Sequence, residues 1–384
     1  MKSVVVAGYV RSPFTPANKG RLAKVRPDEL VAQVIRGLVK KTGVKPDDIE
    51  DVILGCAFPE GEQGLNVARI VVFLAELPLS VTGATVNRFC GSSMQAIHTA
   101  AGAIQMEAGE AFLCAGVESM TRVPMPGFNL LPHPQLYDSY PEVYISMGLT
   151  AENLARHYQI SREAQDEFAL TSHHKAAASE AAGNFSAEMI AITHRGETVD
   201  TVDKVDKDGC IRPTTSREAL AKLEPAFDKD GTVTAGTSAP LTDGAAAVLV
   251  CSEAYAKRED FEILARIRSI AVSGCPPEMM GIGPVSATRK ALERARLSLD
   301  AIDVIELNEA FAAQTLACVQ ELRIPLEKLN LEGGALALGH PLGASGARIT
   351  GKAASLLKKT GAKYALATMC IGGGQGIATV LEAV

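Results

Sequence analysis

The sequence predicts an α/β protein in which strands and helices alternate in two related halves. Apolar, strand-like runs alternate with helical patterns in the first third of the chain, and the same alternation returns in the last third. Aliphatic residues supply most of a 47% hydrophobic content, whereas Trp is absent and aromatic residues make up 5%. This composition suits packed layers of sheet and helix, and 384 residues suffice for two or three domains.

The first third of the chain has βαβ order. We expect strands at 4–7, 52–55 and 111–117, and a further strand that ends at residue 89. We expect helices at 27–41 and 65–76, and a third that follows Cys90 and ends near residue 107. Pro27 is pre-set for the first position of its helix, in which apolar residues recur at helical spacing. Such an order predicts a mostly parallel sheet with helices on both faces.

The character of the chain changes at Glu118. Five prolines between 124 and 141 crowd a stretch with little periodicity, which indicates a domain boundary or a functional loop. Two helical segments follow at 150–158 and 161–182, and a polar, turn-rich region extends to residue 244. His173 and His174 have no partner at metal-ligand spacing, so we assign both to a solvated helix face.

The last third repeats the pattern of the first. We expect strands at 245–253, 265–273, 303–307, 363–369 and 376–382, and helices at 285–296, at 309–322 and from about residue 345. In each half an apolar or Gly-rich approach leads into a helix of small residues, "ATVNRFCGSSMQAI" first and "GGALALGHPLGASGARI" later. Two such halves with an insertion would bring both turns to the ligand-binding ends of the strands.

Composition excludes several classes of protein. A net charge of −6 argues against general nucleic-acid binding. The eight cysteines are scattered and never form C-x-x-C, so no zinc site is predicted, and a reduced cytoplasmic setting fits best. No window approaches a membrane span, and the N-terminal apolar run is a first strand rather than a signal peptide.

A single thiol, Cys90, ends an apolar run and precedes a helix. At a helix N-terminus the partial positive charge favours thiolate over thiol, which suits a nucleophile. The alternative is a buried thiol that acts as a small hydrophobe.

Three further polar residues stand in apolar or Gly-rich surroundings. His340 lies between two Gly-rich turns, Cys370 precedes three glycines that begin at Gly372, and Asn308 follows the strand "VIEL". Each also has a structural interpretation: a turn histidine, a core thiol and a helix N-cap. No Lys-Ser or Lys-Thr follows a Gly-rich turn, so a phosphate loop is excluded.

Together these residues permit acyl transfer with a carbon leaving group. An imidazole can take the proton of a thiol, and the thiolate can attack a carbonyl carbon. A second thiol can protonate a departing carbanion, whereas simple hydrolysis would not need it. Asn308 and the backbone N–H groups of Cys90 and Gly372 could stabilise the oxyanions.

Five motifs in this order resemble those of the thiolases: "NRFCGSSMQAI", "GTVTAGTSAPLTDGAAA", "NEAFAAQ", "GGALALGHPLGASGAR" and "CIGGGQG". The resemblance implies a thiolase fold, with duplicated α-β-α halves at 1–118 plus 242–263 and at 264–384, and an inserted CoA-binding loop domain at 119–241. It also implies that Cys90 takes the acyl group, His340 activates it, Cys370 shuttles a proton, Asn308 holds a catalytic water, and Gly372 lies in an oxyanion hole. Coenzyme A would be a substrate, with no other cofactor and no metal.

By the same resemblance, five residues match positions that contact CoA or line the acyl pocket: Arg212, Leu223, Ala235, Met147 and Phe311. Ala239 stands where relatives often carry a CoA-contacting serine, which puts one hydrogen bond in doubt. Ser146 replaces the histidine common in short-chain biosynthetic thiolases, which favours a degradative enzyme.

The expected activity is thiolysis of 3-ketoacyl-CoA to acetyl-CoA and a shortened acyl-CoA in fatty acid β-oxidation. Alternatives are an acetoacetyl-CoA thiolase acting in condensation and a catalytically silent CoA-binding scaffold. A ketosynthase is disfavoured by Cys370, because that class uses a second histidine or an asparagine there. The resemblance also implies a homodimer or homotetramer, which could belong to a β-oxidation complex.

Overall fold

The computed structural model describes residues 2–195 and 201–384, so residues 196–200 of the predicted insertion lie outside the described residues. The elements of the first half are β1 (Val4–Arg11), β2 (Thr15–Pro16), α1 (Pro27–Thr42), β3 (Ile49–Gly55), α2 (Val67–Leu74), β4 (Thr82–Val86), α3 (Ser92–Gln105) and β5 (Ala111–Ser119). The middle of the chain forms α4 (Pro134–Ser139), α5 (Met147–His157), α6 (Arg162–Ala181), β6 (Ile192–Arg195), β7 (Val202–Val205) and α7 (Arg217–Ala221). The remaining elements are β8 (Thr242–Ser252), α8 (Glu253–Arg258), β9 (Ala265–Gly274), α9 (Gly283–Ala295), β10 (Val304–Leu307), α10 (Ala312–Leu322), α11 (Ala335–Leu338), α12 (Leu342–Thr360), β11 (Tyr364–Ile371) and β12 (Gln375–Glu382).

Nine strands pair in the order β10-β11-β12-β9-β1-β8-β5-β3-β4, and β2 pairs with β8. The prediction of a mostly parallel sheet is wrong. Parallel pairing joins β3 to β4 and β5, and β10 to β11, whereas β8, β1, β12 and β9 pair antiparallel with their neighbours. The physical reason is that β12 returns from β11 through a tight turn, and β8 returns beside β5 after the long stretch 120–241.

The two halves have the same pairing pattern, as the weak internal repeat predicted. In the first half β3 pairs parallel with β5, β5 antiparallel with β8, and β8 antiparallel with β1. In the second half β10 pairs parallel with β11, β11 antiparallel with β12, and β12 antiparallel with β9. Leu329 pairs with Ile305 of β10 in parallel, at the position that β4 takes beside β3. The halves meet where Val5 and Val6 of β1 pair with Arg266 and Ala265 of β9.

Apolar side chains arrange the halves in five layers. One buried cluster joins α1 and α2 to the outer face of the first half, and another joins α9 and α10 to the outer face of the second. A third cluster contains α3 and α12 together with the inner faces of both halves. In β1, Val5 belongs to the outer cluster and Val4 and Val6 to the central one, as the alternation of a strand requires.

The first turn of α12 lies directly on the backbone of the first half. A Cβ on Gly343 would stand 2.6 Å from the carbonyl oxygen of Val117 and 2.8 Å from that of Gly55. Only glycine permits this approach. The loop before α12, which contains His340, is thereby held against the ends of β3 and β5.

In α6 one histidine differs from its predicted setting. His174 is exposed, but His173 is buried and its Nδ1 accepts the backbone N–H of Arg212 at 3.2 Å. Burial lowers the pKa of His173 to about 4, and the charges of Arg212 and His174 act in the same direction. The prediction of a solvated face failed because the segment containing Arg212 covers this side of α6, which helical spacing alone could not reveal.

No helix within residues 2–195 and 201–384 is long and apolar enough to cross a membrane.

Candidate active site

A strained turn holds Cys90 between β4 and α3. Phe89 adopts the left-handed region, with φ of 41°, which is costly for a residue with a side chain. Its backbone N–H donates to Asn87 Oδ1 at 2.8 Å, and Ser92 Oγ accepts the N–H of Arg88 at 2.9 Å. These bonds fix the turn, so that the half-buried Cys90 precedes α3 by two residues.

The sulfur of Cys90 is a protonated thiol in the resting site. Burial raises the pKa of Cys90 to about 12, and the charge of Glu118 contributes in the same direction. The N–H groups of Gly372 and of Cys90 itself donate to the sulfur and lower the pKa, but burial outweighs them. Burial therefore opposes the thiolate that a helix N-terminus was expected to favour.

The turn between β11 and β12 directs the N–H of Gly372 toward that sulfur. Gly374 has φ of 78°, and a Cβ there would stand 2.2 Å from the carbonyl oxygen of Cys275. A glycine is therefore required for the turn to close. Gly372 lies between Phe89 and Met147, each of which would be within 3.7 Å of a Cβ at this position.

His340 is a buried, neutral imidazole. Burial lowers the pKa of His340 to about 3, and the charge of Arg348 acts in the same direction. Its Nδ1 lies 2.6 Å from Ser345 Oγ, which donates its own proton to the carbonyl oxygen of Pro341 at 3.0 Å. With that donation, Ser345 accepts the proton on Nδ1, and the lone pair of the ring is on Nε2.

Asn308 faces that lone pair. Its Nδ2 lies 3.3 Å from His340 Nε2, and its backbone N–H donates to the carbonyl oxygen of Thr368 at 3.1 Å. Helix α10 begins at Ala312 with Phe311 as its N-cap, so Asn308 is not a helix cap. Asn308 Oδ1 is buried without a hydrogen-bond partner among the described residues, and it can accept a bond from a water or a ligand.

Cys370 is a second buried thiol close to the first. It packs in a cluster with Met280 and Phe311, and Met147 packs against the same cluster. Burial raises the pKa of Cys370 well above its ordinary value, and the charge of a Cys90 thiolate acts in the same direction. The site thus contains two thiols and one imidazole, all neutral at rest.

The five residues matched to CoA or the acyl pocket lie in three places. Met147 and Phe311 are beside Cys370, and the ring of Phe311 makes an edge contact with Phe227 at 5.9 Å. Ala235 is exposed and Leu223 is half-buried. Leu223 lies against Gly236, the neighbour of Ala235, since a Cβ on Gly236 would be 2.6 Å from Leu223 Cδ1.

Arg212 is also exposed, and it is attached to α6 through its bond to His173. No hydrogen bond within the described part of the chain connects Arg212 to Cys90. Ser146 is exposed just before α5. Ser238, the neighbour of Ala239, has its hydroxyl proton engaged, because its Oγ donates to the carbonyl oxygen of Thr234 at 2.7 Å.

Sequence reasoning missed three residues that support this site. They are Ser345, Glu118 and Thr242, whose Oγ1 accepts the backbone N–H of His340 at 3.1 Å. Ser345 stands inside the motif "GGALALGHPLGASGAR", five residues after His340, so its spacing was a usable signal. Glu118 gave no such signal, because it lies outside the quoted motifs, at the point where the apolar strand pattern ends. Among residues 2–195 and 201–384 no group of three or more His, Cys, Asp or Glu could hold a metal ion.

Comparison with known proteins identifies the family of the chain. The family models for the thiolase N-terminal domain and the thiolase C-terminal domain match residues 4–254 and 261–383. A 3-ketoacyl-CoA thiolase of Erwinia tasmaniensis is 49% identical over 388 residues, covering 100% of each chain. The acetyl-CoA acetyltransferase of Bacillus anthracis has a TM-score of 0.93 at 40% identity, covering 100% of this chain and 99% of the other. Human mitochondrial 3-ketoacyl-CoA thiolase in complex with CoA has a TM-score of 0.90 at 39% identity, covering 100% and 98%. The chain belongs to the thiolase family of acyltransferases.

Proposed function

We propose that this thiolase cleaves 3-ketoacyl-CoA with CoA, giving acetyl-CoA and an acyl-CoA shortened by two carbons. The observation that carries the proposal is a site with two neutral thiols that act on each other, backbone N–H groups aimed at the first sulfur, and a buried neutral imidazole beside Asn308. Full-length similarity to 3-ketoacyl-CoA thiolases at up to 49% identity supports this substrate class.

In the proposed first step, Cys90 attacks the 3-keto carbon while His340 Nε2 takes the thiol proton. The oxyanion at C3 faces the N–H groups of Cys90 and Gly372, and the thioester oxygen of the acetyl-CoA part faces Asn308, with its water, and His340. The bond between C2 and C3 breaks, its electron pair forms the enolate of acetyl-CoA, and Cys370 gives its proton to C2. The acyl group remains on Cys90 as a thioester.

In the second step, CoA releases the acyl group. The thiolate of Cys370 takes the proton of CoA, and the sulfur of CoA attacks the thioester carbon. The N–H groups of Cys90 and Gly372 are placed to donate to the thioester oxygen, because both point at the sulfur that carries the acyl group. Cys90 leaves as a thiolate and takes its proton back from His340, so departure of the shortened acyl-CoA restores both starting thiols and the neutral imidazole.

Binding of CoA is assigned to the insertion. Arg212 is the proposed phosphate contact, since its exposed guanidinium places a positive charge on a chain of net charge −6. Leu223 and Ala235 would contact the pantetheine, and Met147 and Phe311 would line the acyl pocket beside Cys370. CoA is a substrate here, and no further cofactor is assigned.

The proposed domain division follows the predicted bounds of 1–118 plus 242–263, 119–241 and 264–384. Cytoplasmic location, a homodimer or homotetramer, and membership of a β-oxidation complex are proposed by analogy with the family.

The second candidate activity is that of an acetoacetyl-CoA thiolase acting in condensation. The similarity to the acetyl-CoA acetyltransferase of Bacillus anthracis favours it, whereas Ser146 favours the degradative enzyme. Because a catalyst accelerates both directions, acyl chain length is the property that separates the two candidates.

The test is release of acetyl-CoA from CoA and 3-ketoacyl-CoA esters of four to sixteen carbons, with Cys90→Ala as the blank. Activity on long chains is the expected result. Activity confined to acetoacetyl-CoA would select the second candidate, and CoA binding without activity on any ester would indicate a scaffold.

A further inference from the structure

We propose that Glu118 is a positioning residue that aligns Cys90 of the first half with His340 of the second half. The inference rests on the proposed function, because it presumes that these two residues react together. Glu118 lies near the end of β5 and is 1% exposed.

Both carboxylate oxygens of Glu118 are fully used. Oε2 accepts the backbone N–H of Ala57 at 2.8 Å and that of Gly343 at 2.9 Å. Oε1 accepts the N–H of Phe58 at 3.2 Å and the Nε2 of Gln63 at 2.8 Å. One side chain therefore joins the loop after β3 to the first turn of α12.

The first of these contacts leads to the nucleophile. The carbonyl oxygen of Ala57 accepts Asn87 Nδ2 at 3.0 Å, and Asn87 Oδ1 accepts the N–H of Phe89, the residue before Cys90. Cys90 also packs against a cluster that contains Ala57. A shift of the loop at Ala57 would therefore move the strained turn and the sulfur.

The second contact leads to the base. Gly343 is the second residue of α12, and His340 precedes that helix by two residues. The close approach of Gly343 to the carbonyl oxygen of Val117 leaves its N–H beside Glu118 and no room for a side chain. The imidazole is thus placed relative to the first half through Glu118.

Glu118 also acts on Cys90 through its charge. Burial raises the pKa of Glu118, while the four N–H donors lower it. Because all four donate, and Cys56 Sγ also donates at 3.7 Å, the ionised form suits the site. Its negative charge raises the pKa of Cys90, which keeps the thiol protonated until His340 accepts the proton.

The test is Glu118→Gln. A glutamine has one acceptor oxygen, so its NH₂ group must face either the donors of Ala57 and Gly343 or those of Phe58 and Gln63. Donors that face an NH₂ group lose their acceptor, and that contact opens. We expect kcat for thiolysis to fall about tenfold or more with KM nearly unchanged, because misplacement acts on the chemical step. The matched control is Glu152→Gln, since Glu152 is equally buried and accepts backbone N–H groups of Thr232 and Val233.

The pH dependence of alkylation by iodoacetamide separates positioning from general loosening. Among the described residues, the titratable groups that act on Cys90 are Glu118 and Cys370, and only Glu118 changes. Removing its charge lowers the pKa of Cys90, so alkylation should be about threefold faster at each pH below that pKa, while kcat falls. Unchanged kcat, or a lower kcat with unchanged alkylation, would overturn the proposal.

A second variant decides the matter if Glu118→Gln does not fold. Asn87→Ala breaks the link from Ala57 to the turn without changing a charge, so kcat should fall severalfold and the pH dependence of alkylation should stay the same. Asn66→Ala is its control, because Asn66 Nδ2 donates in the same way to the carbonyl oxygen of Gly83. Equal kcat in the two variants would refute the link. If the wild-type protein shows no thiolysis, the proposed function fails, and the alkylation rates still test the charge effect.

Discussion

Ser345→Ala should disable the base without touching the nucleophile. Ser345 Oγ accepts the proton on His340 Nδ1 at 2.6 Å and donates to the carbonyl oxygen of Pro341. This arrangement holds the imidazole in the tautomer whose lone pair is on Nε2, the atom proposed to accept the thiol proton. Without the hydroxyl, the buried Nδ1–H has no acceptor, and the tautomer with the proton on Nε2 is no longer disfavoured.

The expected loss follows from the cost of a buried unpaired donor. Leaving such a donor unsatisfied costs about 1–3 kcal/mol. At about 1.4 kcal/mol for each tenfold change in rate, the reactive tautomer becomes rarer and kcat falls about 5-fold to 150-fold. KM should change little, because Ser345 is buried behind the imidazole and not at the proposed CoA surface.

The assay is steady-state thiolysis beside a matched variant, Thr350→Val. Thr350 lies on the same helix, is buried, and donates to the carbonyl oxygen of Gly346 as Ser345 does to that of Pro341, but it has no hydrogen bond to a histidine among the described residues. Thr350→Val should therefore keep kcat within about twofold, with any loss confined to thermal stability. Equal kcat in the two variants would refute the tautomer argument.

Two further variants test site residues, and a third tests the effect of a buried histidine on stability. Cys370→Ala should still form the acetyl-enzyme from acetyl-CoA but lose thiolysis by about 10²–10⁴-fold, and normal thiolysis would exclude Cys370 as the acid. Arg212→Ala should raise KM for CoA more at low salt than at high salt, with kcat unchanged, and a salt-independent KM would contradict a phosphate contact. Burial, with smaller effects from the charges of Arg88 and Arg294, lowers the pKa of His98 to about 3. Unfolding therefore takes up a proton between about pH 6 and 3, and His98→Gln should reduce the acid-side slope of unfolding free energy by about 1.4 kcal/mol per pH unit in urea titrations.

The sequence was informative where local pattern determines structure. The alternation of apolar runs predicted most strands and helices, and the two related halves appear in the structure with identical pairing patterns. The turns that contain Cys90, His340 and Cys370 could be found because each interrupts an apolar run with polar or Gly-rich residues. We expected these turns to lie together because both halves present the same ends of their strands.

Long-range contacts were beyond the reach of the pattern. Strand direction depends on how β8 and β12 return to the sheet, and βαβ order alone suggested parallel pairing. His173 looked solvated because the segment that covers it lies 39 residues away. A helix N-terminus is a local feature that the pattern reveals, whereas the burial and the charge of Glu118 that raise the pKa of Cys90 come from the packed site.

The neutral resting state of the site explains why its parts come from both halves. A permanent thiolate at Cys90 would be exposed to oxidants, since reactivity toward them follows thiolate character. Burial avoids this by keeping Cys90 as a thiol and His340 as a neutral imidazole. Proton transfer then becomes favourable only when a substrate carbonyl arrives and its developing oxyanion meets preorganised donors. Such coupling tolerates little displacement between thiol and base, so a buried carboxylate that fixes both halves at once has a direct consequence for rate.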